Sequence, residues 1–320
     1  MELYQHGRLD LERPAIRLLR LAKGRHSPIA CEIFQVFLDD RGCGVPYEAL
    51  SYTWGPPELT QEIRVNGKRL PVTENLYEAL SRLRQDHRDR ILWVDAICID
   101  QTNAREQGHQ VRQMGEIYHK ADQVLFWLGP ATDDTDSLLE AFGRLEDEAE
   151  KHPCNNWHPS DARWRDIFSD IDVQFGLCSD QRDRRRRGLE TLLGRAWFTR
   201  AWILQEVANA HAARICCGTR SVSTRYFGVL PGWVGVAPSP HCQAVMDMMP
   251  GVSRAHSRWT GHRDLFTLLW HFGQSNATEP RVIIYALRGI STDASGPDVL
   301  APDYTMPKQE LTSKVSEFLF

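Results

Sequence analysis

Apolar and polar residues alternate loosely along residues 14 to 38 and close on the run CEIFQVFL, a period near two that predicts strand. After a turn at Asp39 to Gly44, the run YEALSYTW at Tyr47 to Trp54 predicts a second strand, stopped by Gly55-Pro56-Pro57. Between Glu62 and Val72, two short β-prone runs flank Asn66-Gly67, a dipeptide whose residues both tolerate positive φ and so favour a tight hairpin. The period then changes. Leu76, Leu80 and Leu83 share one helical face over Thr73 to Arg84, with Thr73 as the expected N-cap.

Ile91 to Val94 is a short apolar run of the kind found in buried central strands. It ends in Asp95 and Asp100, with Gln101 beside them. Helical spacing of Val111, Met114, Ile117, Tyr118 and Ala121 follows, then an apolar strand at Val124 to Leu128 that stops at Gly129-Pro130. Leu138, Leu139, Phe142 and Leu145 mark a further amphipathic helix over Asp136 to Ala149. Helix and strand alternating at these spacings predict right-handed crossovers and a mainly parallel sheet, an α/β fold. Strand ends that deliver carboxylates into loops are where such sheets place ligands.

The regular pattern breaks between Glu150 and Gly188, which reads as an exposed insertion holding four consecutive arginines, Arg184 to Arg187. In a chain of balanced charge, that run reads as a solvated face rather than a nucleic-acid patch. Regularity returns at Leu189 to Ala210 and in the strand run ARICCG, Ala213 to Gly218. Residues 228 to 258 are rich in Pro, Gly and Met and predict no clear element. Two helices are expected near Asp264 to Phe272 and Arg281 to Leu287, the second with Gly289 as C-cap. The final SKVSEFLF is amphipathic without a cap or polar tail, so the chain is expected to continue past residue 320.

Composition adds little. The apolar fraction of 42% and charged fraction of 25% are those of an ordinary soluble protein, and a net charge of -4 offers no attraction to nucleic acid or anionic membrane. No apolar run reaches the ~20 residues that cross a bilayer, and no signal peptide is evident. A cytoplasmic location is therefore expected. The eight cysteines include no C-x-x-C pair, so they read as small buried hydrophobes and no metal site is assigned. The Gly-rich phosphate loops of Rossmann and P-loop proteins are absent.

Three blocks are too specific for generic packing: YEALSYTWG at Tyr47 to Gly55, LWVDAICIDQ with Glu106 and the later WLG, and RAWFTRAWILQEV at Arg195 to Val207. In order and spacing they resemble the fungal heterokaryon incompatibility (HET) domain over residues 47 to 218. The expected layout is an N-terminal strand region (1–46) packing on the core, the HET domain (47–218, with its mostly helical insertion at about 150–188), and a truncated C-terminal extension (219–320). Pro302-Asp303-Tyr304 also resembles that family's tail, whereas Arg281 is followed by Val282-Ile283 where the family has Arg-Asp-Lys. The resemblance implies fungal non-self recognition and regulated programmed cell death, with other incompatibility or NLR-type signalling proteins, or further copies of the chain, as partners.

It also implies a fold distantly similar to the flavodoxin-like TIR domain. Ser51-Tyr52 resembles the end of the first TIR strand, and Leu92 to Asp95 the second. Trp202 and Glu206 are spaced as in the Trp-Cys-x-x-Glu motif, whose glutamate supports cleavage of the nicotinamide–ribose bond of NAD in active TIR domains. The implied reading is an NAD hydrolase with no tightly bound cofactor and NAD as substrate. The departing nicotinamide leaves an oxocarbenium-like centre, which a carboxylate stabilises without metal or covalent nucleophile.

Glu206 is the expected catalytic carboxylate and Glu106 the runner-up. Ser51, Tyr52, Trp54, Gly55, Asp95, Asp100, Gln101 and Arg200 are the expected binding residues. Tyr52 or Trp54 would stack on a base and Arg200 would grip pyrophosphate. Structural roles compete with each of these. Trp54, Trp197 and Trp202 also suit a core, Asp95 and Asp100 could cap loops or pair with Arg200, and Glu106 could hold helix amides. A non-enzymatic, self-associating adaptor is the alternative function.

Overall fold

The computed structural model describes residues 2–24, 27–39, 45–174, 178–277, 279–294, 296, 299–303 and 306–320. Most of the turn expected at Asp39 to Gly44, including Cys43, and Tyr304 of the tail motif lie outside them.

Among the described residues, nine strands form one sheet: β1 (Ala15–Leu21), β2 (Ala30–Phe37), β3 (Glu48–Tyr52), β4 (Gln61–Val65), β5 (Lys68–Val72), β6 (Arg90–Trp93), β7 (Gln123–Trp127), β8 (Ala213–Cys217) and β9 (Arg220–Ser223). Their spatial order is β5-β4-β2-β1-β6-β3-β7-β8-β9. The centre, β6-β3-β7-β8, is parallel, with Ala49 opposite both Trp93 and Val124 and Phe126 opposite Ile215.

The expectation of a mainly parallel, flavodoxin-like sheet needs correction, because the whole sheet is mixed. β1 lies antiparallel to both β2 and β6, β4 to β5 and β8 to β9, while β2 and β4 run parallel. The physical reason lies in β1. Its run AIRLLRL is buried at six of seven positions, so it occupies the sheet interior and brings β2 and the β4–β5 hairpin along as an extension beyond β6. The N-terminal strands thus continue the sheet itself.

Helices connect and cover the strands: α1 (Glu74–Leu83), α2 (Asp95–Cys98), α3 (Ala104–Lys120), α4 (Asp133–Ala149), α5 (Trp164–Gln174), α6 (Ser179–Leu193) and α7 (Ile203–Asn209). The C-terminal region adds α8 (Leu230–Val234), α9 (Pro240–Met248), α10 (Val252–Ala255), α11 (Leu265–Phe272), α12 (Arg281–Arg288) and α13 (Lys308–Leu319). α7 packs against α3, α9 and α12, and α4 against α6. Among the described residues, no helix is long and apolar enough to cross a membrane.

The hairpin turn expected at Asn66-Gly67 forms. Asn66 and Gly67 both take positive φ between β4 and β5, and Asp264 caps α11 by accepting from the Thr267 amide at 2.8 Å. Thr73 sits at the N-cap of α1, but its hydroxyl makes no capping bond. The arginine run is not a free cationic face. Arg184, Arg186 and Arg187 pair with Asp180, Glu190 and Asp134, while Arg185 is buried against Asp172 and Trp233. Trp93, Trp127, Trp197, Tyr52, Tyr118 and Phe126 are fully buried around the parallel centre. Burial of each such ring contributes on the order of 2 kcal/mol, so this aromatic layer fixes the strand ends from which the site is built.

Candidate functional site

Three elements bring the central group together. β3 ends at Ser51-Tyr52, β6 hands the chain to Asp95 at the start of α2, and Glu206 lies in the first turn of α7. Pairing of β3 with β6 and β7 places these ends side by side at the carboxyl edge of the parallel strands.

Glu206 is 3% exposed, and its Oε2 has no hydrogen-bond partner among the described residues. Burial pushes its pKa up to about 7, and the negative charge of Asp95 adds to this; Arg200 and the nearby Ser51 hydroxyl pull it back. Asp95 is likewise raised by burial and lowered by Arg200, by the Trp54 indole and by the Ala96 amide. Trp54 donates Nε1–H to Asp95 Oδ2 at 3.0 Å and the Ala96 amide donates to Oδ1 at 2.7 Å. Arg200 donates from Nη1 to the Tyr52 carbonyl. Trp197 donates Nε1–H to Ser51 Oγ at 2.8 Å. The result is a pair of carboxyls facing one guanidinium under a sheet edge, with one carboxyl oxygen uncommitted. Such a group can hold or release a proton near neutral pH and stabilise a cation brought against it.

Ser51, Tyr52, Asp95, Arg200 and Glu206 therefore converge, and Trp54 joins through Asp95. Tyr52 is only 2% exposed, so its ring belongs to the core and is not available to stack on a ligand. Trp54 reverses the core reading: at 41% exposure it is the accessible aromatic of the group. Trp197 is core, as its size suggested. Gly55 follows Trp54 with φ of +75°, the left-handed turn that leads the chain off the strand end.

Asp100 and Gln101, on the loop after α2, form a second group with Glu106 in the first turn of α3. Both Glu106 oxygens face Arg17, at 2.5 and 3.0 Å, and Oε1 also accepts the Asp100 amide at 2.7 Å. Asp100 Oδ1 accepts from the Thr102 amide and hydroxyl at 3.0 and 2.7 Å, a loop-closing arrangement. Gln101 is exposed and donates to the Asp95 carbonyl at 3.0 Å. The ion pair of Glu106 lies with Arg17 on β1, not with Arg200.

Sequence reasoning missed Arg17, Asn75 and Gln205. Arg17 is a buried charge in an apolar strand run, a signal in itself because such a residue requires a partner. Asn75 ties the β3 exit to the core by accepting from Trp127 Nε1 at 3.0 Å and donating to the Thr53 carbonyl at 2.5 Å. Gln205, beside Glu206, donates to the Tyr285 and Ala286 carbonyls at 3.0 and 3.1 Å and so anchors α7 to the end of α12. No local pattern announces that contact.

Comparison with known proteins agrees with the blocks that build this group. The family model described as heterokaryon incompatibility protein (HET) matches residues 47–206, half of the chain, from the start of the β3 block through Glu206. Heterokaryon incompatibility protein 6, OR allele, of Neurospora crassa is 27% identical over 359 aligned positions, taking in 95% of this chain and 51% of that protein. The chain thus spans about half the length of this curated relative. No solved structure gives a significant match. The family match covers the residues that shape the β3, β6 and α7 ends, and the chain belongs to the heterokaryon incompatibility (HET) family.

Proposed function

We propose that this chain acts in fungal heterokaryon incompatibility and that Glu206 is its catalytic carboxyl, hydrolysing the nicotinamide–ribose bond of NAD once this buried group is exposed. The observation that carries this reading is the uncommitted, buried Oε2 of Glu206 beside Arg200 and Asp95. A buried carboxyl oxygen without a partner costs on the order of 1–3 kcal/mol or more and persists where it serves a purpose. In the proposed step the bond from ribose C1′ to the nicotinamide nitrogen breaks, nicotinamide departs neutral, and water adds at C1′ with loss of a proton. Glu206 as carboxylate stabilises the developing positive ribose, Arg200 meets the pyrophosphate, and Trp54 packs on a base. Loss of cytoplasmic NAD would then be the death signal, set off by incompatibility or NLR-type partners or by self-association.

One observation favours the adaptor reading instead. Glu206 is 3% exposed, and clefts of about 630, 450 and 550 Å³ are all lined by other residues. The two readings separate on incubation of concentrated protein with NAD while nicotinamide release is followed. Release by wild type and its loss in Glu206→Gln supports the enzyme. Release unchanged by Glu206→Gln removes the glutamate assignment, and no release under any assembly condition leaves the adaptor.

A further inference from the structure

A cleft of about 550 Å³ opens where the loop before α5 meets α9, α10 and the turn at Arg258–Thr260, and it shares no lining residue with the Glu206 group. Its volume lies in the range of small-ligand sites. His158, His256 and Arg258 stand at its exposed rim, while Asp247 and Ser253 sit deeper.

Positive groups on the rim are held in place, and the acid facing Arg258 and His158 is Asp247 inside the same cleft. The Arg258 guanidinium lies 4.7 Å over the Trp259 ring, and its Nη2 is 3.0 Å from His271 Nε2. Neither contact supplies a negative charge, and the Arg258 charge acts on Asp247 without a direct salt bridge among the described residues. His158 Nδ1 accepts from the Ser160 amide at 3.2 Å. A backbone amide can only donate, so the neutral ring carries its proton on Nε2, ready to donate. His256 stands edge-on to His158 at 5.3 Å between ring centroids.

The deeper groups ask for a different kind of partner. Asp247 Oδ1 accepts from Gln243 Nε2 at 2.8 Å, which leaves the other oxygen as an acceptor. Ser253 is 7% exposed, and its hydroxyl has no partner among the described residues. A bare anion would meet Asp247 as a like charge and leave both groups unsatisfied. A metal ion finds no set of three converging ligands among the described residues.

We propose that this cleft binds a phosphorylated pentose, with the phosphate held by Arg258, His158 and His256 and the sugar hydroxyls by Asp247 and Ser253. Guanidinium and imidazole donors suit phosphate oxygens, and a carboxylate acceptor suits vicinal hydroxyls. The site does not depend on the role proposed for Glu206.

Titration calorimetry of the full 320-residue chain with ribose 5-phosphate, ribose, inorganic phosphate and adenosine monophosphate tests this. Saturable binding of ribose 5-phosphate is expected, with ribose and inorganic phosphate each weaker by about tenfold or more. Arg258→Gln should weaken the sugar phosphate to the level of ribose, and Asp247→Asn should erase its preference over inorganic phosphate. Ser253→Ala removes only an unpartnered hydroxyl, so it should fold normally, as read by its thermal melt, and still bind more weakly. Tighter binding of adenosine monophosphate assigns a nucleotide as the source of the pentose phosphate; equal or weaker binding assigns the free sugar phosphate. The proposal is overturned if folded wild type shows no saturable binding of ribose 5-phosphate or binds inorganic phosphate equally well. Affinity left unchanged in all three folded variants overturns it too.

Discussion

Trp197 donates its indole N–H to the Ser51 hydroxyl at 2.8 Å across 146 residues of sequence, and that same hydroxyl lies beside the Glu206 carboxyl. One buried serine thus joins the end of β3 to the segment that leads into α7. Ser51→Ala should cost roughly 1–3 kcal/mol by orphaning the Trp197 donor, measured by urea denaturation. It should also raise the pKa of Glu206 further, because the hydroxyl lowers it. A variant as stable as wild type would deny that the bond organises the site.

Glu206 makes stability depend on pH in an unusual direction for a carboxyl. Its folded pKa of about 7 lies above the ordinary value of 4.5, so between those values the native state binds more protons than the unfolded chain. Stability therefore falls as pH rises from 4.5 to 7 and levels off above. Glu146 also titrates at about 7 for reasons of burial, so the informative quantity is wild type against Glu206→Gln, in which the Glu146 contribution cancels. Glu206→Gln should gain on wild type by an amount on the order of 3 kcal/mol across that window. A constant difference between pH 4 and 8 would contradict the burial of this carboxyl.

Arg17 on β1 and Glu106 in the first turn of α3 form a buried ion pair, at 4% and 3% exposure. Arg17→Met should destabilise by about 3–5 kcal/mol, since it leaves Glu106 charged and unpaired. Arg17→Met combined with Glu106→Leu should recover much of that loss. Recovery would mark Glu106 as a structural residue. A double variant no more stable than the single one would reopen its candidacy for chemistry.

Gly289→Ala tests the link between α12 and α7. A Cβ there would stand 2.0 Å from Gln205 Nε2, the atom that holds the Tyr285 and Ala286 carbonyls. The substitution should cost roughly 1–3 kcal/mol in thermal or urea unfolding through displacement of Gln205. An unchanged midpoint would show that α7 tolerates the shift.

These cases also mark what was legible in the chain. The Asn66-Gly67 hairpin, the β3 block and the helical face of α3 depend on neighbours in sequence, so local period and turn chemistry reveal them. The position of β1 does not: a strand buried almost throughout fits any interior slot, and its partner β6 lies some seventy residues away. Arg17 and Glu106, 89 residues apart, are hidden for the same reason. Gly289 is the C-cap of α12 as expected, but with a φ of −64° its need for a missing side chain comes from Gln205, which no local pattern shows. Trp54 looked like core because of its size, yet it lies beyond the end of β3, beside the left-handed Gly55, and is 41% exposed.

The most direct test of the account is cellular NAD in a fungal host that expresses the chain from an inducible promoter, wild type against Glu206→Gln at equal protein level. The account predicts that wild type lowers NAD before growth stops, whereas Glu206→Gln leaves both NAD and growth intact. Growth arrest by Glu206→Gln with NAD unchanged would contradict it and make the buried carboxyl a structural element of a non-enzymatic module.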